Sequence, residues 1–296
     1  MLIEVYDVGG SKVRGAFGML TSRVVLLERM EKPARSDFYN QILEMSPKLR
    51  KNSTPRCVSV CVPGPVDGKT LLKVPQLNLS NPVNLEEKLG SLGPIYVEND
   101  VNAAAYAELN EGIGKEHNNF YVLTLSTGIG AGIVLNKNVI GGKSGEFGHC
   151  VLETDPKRLV FTEKCGCKNK GCWCSFSSGK GLEYLTKIFV DKNLDCENLF
   201  YRAKRGNESA KRIIKEAREY NAHGIGNMIS ALDVEAISVM GSLGLNQFDL
   251  IIPSKEEISK YTLNKVPHIA KTTLGEDIGL LGASVFFPAS PFPLNY

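Results

Sequence analysis

Residues 145–179 read GEFGHCVLETDPKRLVFTEKCGCKNKGCWCSFSSG. Three thiols and one imidazole, Cys165, Cys167, Cys172 and His149, form the donor set of a closed tetrahedral zinc site. The two cysteines of CGC and the four residues before Cys172 make a tight thiolate cluster, and Gly166 and Gly171 let the chain turn around an ion. Four donors fill the shell and leave no position for a reacting water, so the metal is expected to be structural. Such a staple would hold Glu146, just upstream of the histidine, near a fixed place. Cys150 and Cys174 are further thiols in the same stretch, and the alternative reading is a group of free surface cysteines.

A second group lies at VEND, where Glu98, Asn99 and Asp100 end a short strand pattern. Ligands of open α/β sheets sit at the carboxyl ends of strands. There an aspartate can take the proton of a hydroxyl that attacks a phosphoryl group, and Asn99 can meet a polyol as donor and acceptor. The competing reading is an Asx cap on the following helix, and both can hold for different members of the trio.

Two Gly-rich turns complete the chemistry. DVGGSK spans Asp7 to Lys12, with Gly9, Gly10 and Ser11, and STGIGAG spans Ser126 to Gly132, with Thr127 and Gly128. Glycines allow positive φ and let backbone N–H groups approach an anion, while Ser11, Ser126 and Thr127 add hydroxyl donors. Asp7 could hold a cation or a cation-bound water near phosphate. Neither turn is a Walker loop or a GxGxxG element. Each could be a plain hairpin turn, but MGSLG (Met240–Gly244) adds a third, and together they point to nucleotide phosphate.

These residues need an α/β frame. Strands are expected at 2–6, at VRGAF and near Arg23–Glu28, followed by an amphipathic helix over 36–51 that buries Phe38, Ile42, Met45 and Leu49. CVSVCV reads as a strand closed by PGPVDG, IYVEND as another, and VNAAAYAELNEG as an Ala-rich helix closed by Gly112 and Gly114. FYVLTLSTGIGAGIVLN restarts the pattern as strand, Gly-rich turn and strand. Residues 180–232 read as mainly helical, AISVMGSLG as a strand with a Gly turn, and EDIGLLGASVFF as a small-residue helix. Two similar α/β domains follow, with a boundary near residue 113.

The chain has 296 residues, is 43% hydrophobic and 23% charged, and carries a net charge of +3, which gives no electrostatic case for a nucleic-acid partner. No 18-residue apolar run and no signal-peptide pattern are expected from the sequence, so membrane association is not anticipated. With four of the eight cysteines at metal-like spacing, a reducing cytoplasmic setting is expected rather than a disulfide framework.

The chain resembles the ROK family of sugar kinases over almost its whole length. DVGGSKVRG resembles the family's first phosphate loop, VPGPVDG its sugar-side loop, VENDVNAAAYAE its catalytic strand and helix, and STGIGAGIV its second phosphate loop. GEFGH with CGCKNKGC resembles the zinc signature, and MGSLG and LGEDIGLLGAS the C-terminal elements. The resemblance implies two ribonuclease-H-like (actin-like ATPase) domains with a cleft between them: 1–113 plus a C-terminal helix at about 278–296, and 114–277 with the zinc loop. It implies ATP, Mg2+ and structural Zn2+, transfer of the γ-phosphoryl group to the 6-hydroxyl of a hexose or N-acetylhexosamine, and a homodimer or higher homo-oligomer.

By position, Asp100 becomes the base, and Asn99, Glu146 and His149 become sugar contacts together with Asn78 (or Asn81) of VPQLNLSN. His149 keeps its place as a metal ligand. Asp7, Gly9, Gly10, Ser11, Lys12, Thr127 and Gly128 serve the phosphates, and Gly241 of MGSLG lies against the adenosine. Two departures stand out: Cys174 replaces the sugar-binding Glu of CxCGxxGCxE, and Lys168 replaces the Gly after Cys167. The alternatives are a non-catalytic sugar sensor, which Cys174 motivates, and a sugar-responsive transcriptional regulator. The regulator would need an N-terminal helix-turn-helix ahead of the loop at residue 7.

Overall fold

The computed structural model describes residues 1–286 except 22, 23, 73, 75, 76, 78, 80 and 164. The chain falls into two compact units. The first comprises Met1–Asn118, Gly132–Ser144 and the C-terminal stretch from Thr273, and the second Asn119–Ala131 and Gly145–Thr272.

In the first unit β1 (Leu2–Val8), β2 (Lys12–Leu20) and β3 (Val24–Pro33) form an antiparallel meander, and β1 pairs in parallel with β4 (Val58–Val62). Three two-residue strands, β5 (Val66–Asp67), β6 (Thr70–Leu71) and β7 (Val83–Asn84), make a small separate sheet, and β8 (Ile95–Asn99) then pairs in parallel with β4. The order of the large sheet is β3-β2-β1-β4-β8. β3 runs to Pro33, further than the sequence pattern suggests, because its residues alternate half-buried and exposed as an edge strand allows.

β1 is buried on both faces. Tyr6 and Val8 pack on Phe38, Ile42, Met45 and Leu49 of helix Phe38–Arg50, the four residues expected from helical spacing. Each such side chain contributes about 1.5–3 kcal/mol on burial. Ile3 and Val5 pack on the other side with Ala103, Leu280 and Ala283. Those come from helices Asp100–Glu111 and Ile278–Ala283, which approach so closely that a Cβ on Gly282 would lie 2.0 Å from the Ala103 carbonyl oxygen.

β9 (Phe120–Leu125), β10 (Ile129–Leu135), β11 (Asn138–Val139), β12 (Ala236–Met240) and β13 (His268–Lys271) follow, in the order β11-β10-β9-β12-β13. β12 is parallel to both β9 and β13. The second sheet thus repeats the first: a hairpin of successive strands, then two parallel strands. These are the two ribonuclease-H-like, actin-like arrangements that the family resemblance implies. β13 and the small sheet were not among the expected strands. Helices Gly179–Phe189, Cys196–Lys204 and Glu208–Ala231 supply the helical stretch of the second unit. Among the described residues no helix is long and apolar enough to cross a membrane.

Candidate functional site

The acid edge of the first unit is built by backbone groups. Asn99 ends β8, and its Oδ1 accepts hydrogen bonds from Val101 N (2.9 Å) and Asn102 N (3.1 Å), which caps helix Asp100–Glu111. Its Nδ2 donates to the Gly64 carbonyl at 3.0 Å, so most of the carboxamide is already engaged. Asp100 Oδ1 also accepts from Val101 N at 2.9 Å, which fixes the carboxylate at the helix start. Cap and candidate base are therefore both present, on adjacent residues.

Two further residues support this edge: Glu98, the first of the expected trio, and Asn102, which the sequence does not single out. Glu98 Oε1 accepts from Asn99 N (2.8 Å) and from Asn102 Nδ2 (3.1 Å), and Asn102 Nδ2 also donates to the Gly142 carbonyl at 3.3 Å. Burial raises the Glu98 pKa above the ordinary carboxylate value, against the opposing hydrogen bonds. Asn78 lies outside the described residues.

In the first Gly-rich turn Asp7 is the penultimate residue of β1 and is 8% exposed. Its Oδ2 forms an ion pair with Arg14 at 2.6 Å, and the Cys61 thiol lies 3.5 Å from Oδ1. Both carboxylate oxygens thus have partners within the unit. Gly9 N donates to the Lys12 carbonyl at 2.7 Å to close the turn, and Lys12 pairs with Glu31 at 2.8 Å on the exposed surface. Gly9 and Gly10 do not take positive φ, so the turn uses their lack of side chain and not left-handed backbone. Ser11 accepts a hydrogen bond at its carbonyl from Ala34 N at 2.9 Å.

The second unit gathers its own Gly-rich elements. The Ser126 carbonyl accepts from Gly179 N at 2.7 Å and the Thr127 carbonyl from Lys180 N at 3.3 Å. The start of helix Gly179–Phe189 thus ties down the turn that carries Thr127 and Gly128, with Ser178 as its cap. Gly241 follows β12 at φ +86, where a Cβ would lie 2.5 Å from the Leu125 carbonyl oxygen, so the residue must be glycine on both counts. Parallel pairing of β9 and β12 thereby sets the Gly241 turn beside the Ser126–Gly128 turn.

The sulfur cluster lies in the second unit too. Donor atoms of His149, Cys165, Cys167 and Cys172 are all within 4.8 Å of one another. His149 Nδ1 is 3.1 Å from Cys165 Sγ, and Cys167 Sγ is 3.5 Å from Cys172 Sγ. A tetrahedral shell with metal–sulfur bonds of about 2.3 Å has edges of roughly 3.8 Å, so the four donors fit a zinc-type ion. The hydrogen bond to Cys165 raises the His149 pKa to about 9, and hydrogen bonding with Cys174 first, then His149, lowers that of Cys165 to about 3. Crowded thiolate and imidazole donors of this kind are those for which protons and a metal compete. His149 Nε2 faces Glu146 Oε2 at 3.6 Å, and burial raises the Glu146 pKa while His149 opposes the rise.

The seat of this cluster escaped the sequence reading. Trp173, 1% exposed, donates its indole N–H to Asn221 Oδ1 at 2.8 Å, and Asn221 Nδ2 donates to the Ile251 carbonyl at 2.9 Å. Its ring lies on Gly224, where a Cβ would come within 2.4 Å of it. Trp173 N donates to the Cys150 carbonyl at 3.0 Å, which ties the two arms of the cysteine-rich loop together. Lys168, in the position of the expected glycine, adopts φ +74.

Known proteins share this frame. The N-acetyl-D-glucosamine kinase of Histophilus somni (strain 129Pt) is 30% identical over 301 residues, covering 95% of this chain and 97% of that protein. An N-acetylmannosamine kinase of Haemophilus influenzae (strain PittEE) is 31% identical over 192 residues, 64% of this chain and 62% of that one. The crystal structure of the ROK hexokinase from Thermus thermophilus superposes with a TM-score of 0.77 at 25% identity, covering 96% of both chains. The ROK family model matches residues 5–290, and the chain belongs to the ROK family.

Proposed function

We propose that this protein is an ATP-dependent sugar kinase that transfers the γ-phosphoryl group to the 6-hydroxyl of an N-acetylhexosamine, with N-acetylglucosamine as the first candidate. The observation that supports this reading most is the Asn99–Asp100 strand end: a carboxylate fixed at a helix start, in a chain similar over its length to an N-acetyl-D-glucosamine kinase.

In this reading Oδ2 of Asp100 accepts the proton of the attacking hydroxyl, while Oδ1 stays on Val101 N. Proton acceptance is late, because phosphoryl transfer is mostly positioning and charge neutralisation. Asn99 offers the sugar only what its cap leaves, the second N–H of its amide. Thr127, Gly128 and Gly241 of the second unit, and Gly9, Gly10, Ser11 and Lys12 of the first, serve the nucleotide phosphates and adenosine. Mg2+ bound with ATP would neutralise developing charge on the phosphates. Asp7 acts on that side through Arg14, which its carboxylate holds.

Zn2+ would be held by His149 Nδ1, Cys165, Cys167 and Cys172. His149 Nε2 and Glu146 are then fixed next to each other as sugar contacts. A coupled ADP-release assay across N-acetylglucosamine, N-acetylmannosamine, glucose and mannose, with NMR of the product, tests the proposal. Turnover with an N-acetylhexosamine and phosphate on O6 is expected. Sugar binding without ADP release from any of the four would identify a sensor instead.

A further inference from the structure

The N–H of Val101 is shared between Asp100 Oδ1 and Asn99 Oδ1, both at 2.9 Å. A shared donor grips each oxygen less firmly, so the place of the Asp100 carboxylate depends on where the backbone of residues 99–102 sits. One side chain that the proposed reaction does not use fixes that backbone. Glu98 Oε1 accepts from Asn99 N at 2.8 Å and from Asn102 Nδ2 at 3.1 Å, and so joins the residue before Asp100 to the second residue after it. Asn102 is 1% exposed, and its Nδ2 also donates to the Gly142 carbonyl at 3.3 Å. These partners decide the orientation of its amide, because the flipped amide would set its oxygen against two acceptors. Gly142 has φ +74, so the carbonyl that Asn102 holds belongs to a turn that favours glycine. Glu98 Oε2 faces the same turn: a Cβ on Gly141 would lie 3.9 Å from it. All of these residues belong to the first unit.

We propose that Glu98, together with Asn102, is a positioning residue for the base. It pins residues 99–102 against the Gly141–Gly142 turn and thereby holds the Asp100 carboxylate where the attacking hydroxyl must meet it. Glu98 takes no proton from the substrate in this account and acts only through Asp100. Proton transfer between fixed groups is sensitive to placement, and an error of about 1 Å can cost on the order of 100-fold in rate. What Glu98 supplies is an acceptor at Oε1, so an uncharged side chain of the same shape should serve nearly as well. The proposal rests on the sugar-kinase reading given above, and its test separates the two.

The full chain is assayed with ATP and whichever of the four sugars turns over best, well below the melting temperature of every variant. Glu98→Ala and Glu98→Gln are each made alone and combined with Asp100→Asn, with Glu98→Met in parallel in case the alanine variant does not fold. Glu98→Ala should lose about 10–100-fold in kcat while KM for sugar and for ATP stays near wild type. Glu98→Gln keeps an acceptor for Asn99 N and Asn102 Nδ2 and should recover most of that loss. In the Asp100→Asn background the Glu98 changes should be nearly silent, because residues that act as one unit are not additive. A Glu98→Ala enzyme with wild-type kcat, a loss carried by KM alone, or the same factor lost in both backgrounds overturns the proposal. So does a Glu98→Gln enzyme as slow as Glu98→Ala. A wild type that releases no ADP with any of the four sugars overturns the kinase reading itself, and near-normal kcat in Asp100→Asn overturns its base; either removes this proposal too.

Discussion

At the end of β8 the reactive side chains are placed by main-chain hydrogen bonds, whereas in the loop from His149 to Cys172 they are placed by one another. Asn99 and Asp100 sit at a strand-to-helix junction where the Val101 and Asn102 N–H groups donate to their side-chain oxygens. The sulfur cluster has only short helical turns around it, and its donors approach to 3.1 and 3.5 Å because the loop folds them together. The first arrangement is stable without a ligand. The second concentrates thiols and an imidazole whose donor atoms lie within reach of a single ion.

Removing the metal should have the largest effect and should fall on one region only. Cys172→Ser, or prolonged chelation, removes part of a site whose ion contributes as much as about 10–16 kcal/mol in small zinc domains. Sugar KM should rise and the second unit should melt earlier, while hydrogen exchange at the Asn99–Asn102 cap stays unchanged. Loss of protection at that cap would erase the difference between the two regions. Gly224→Ala drives a methyl group into the Trp173 ring, which should cost about 1–3 kcal/mol and loosen the metal loop from its seat. Thermal melts and the chelator competition curve would both report it.

Lys168→Gly works in the opposite direction. Lys168 sits at φ +74, where a side chain is strained, so glycine should add about 0.5–1 kcal/mol of stability and tighten metal binding. A lower melting temperature would contradict the strain. The smallest effect concerns the support of the long helix. Hydrogen bonds from Arg218 lower the Glu257 pKa from 4.5 to about 2. Because the folded value is depressed, the pair's stabilisation is fully present above about 4.5 and is lost as the pH falls toward about 2. Glu257→Gln should therefore melt slightly below wild type at neutral pH, by under about 1 kcal/mol for a partly exposed pair, with the difference closing in that acid window.

What the sequence could reveal follows the same division. Strand alternation, the Gly-rich turns and the cap-forming Asn99 are local signals, so the repeated hairpin-plus-parallel-strand pattern and the acid edge were readable from neighbouring residues. The donor spacing of Cys165, Cys167 and Cys172 was readable because thiol pairs at that spacing have few other uses. The seat of Trp173 was not, since its partners Asn221 and Gly224 lie far along the chain and meet it only through packing. The pairing of Asp7 with Arg14 was hidden for a related reason. It depends on the register of β1 against β2, which sets Arg14 directly opposite Asp7. Cys174 could be seen as a departure from the family pattern, but only the fold shows that its thiol lies against Gly148 and the Ile129 carbonyl.

The proposed chemistry stands or falls with Asp100 as the base of a sugar kinase. Turnover of Asp100→Asn with ATP and N-acetylglucosamine, measured beside the melting temperature and sugar affinity of the same variant, decides it. Asparagine keeps the acceptor for Val101 N, so the variant should fold and bind sugar as wild type does and lose at least about 100-fold in kcat. Near-normal kcat with an intact fold would remove Asp100 from that role.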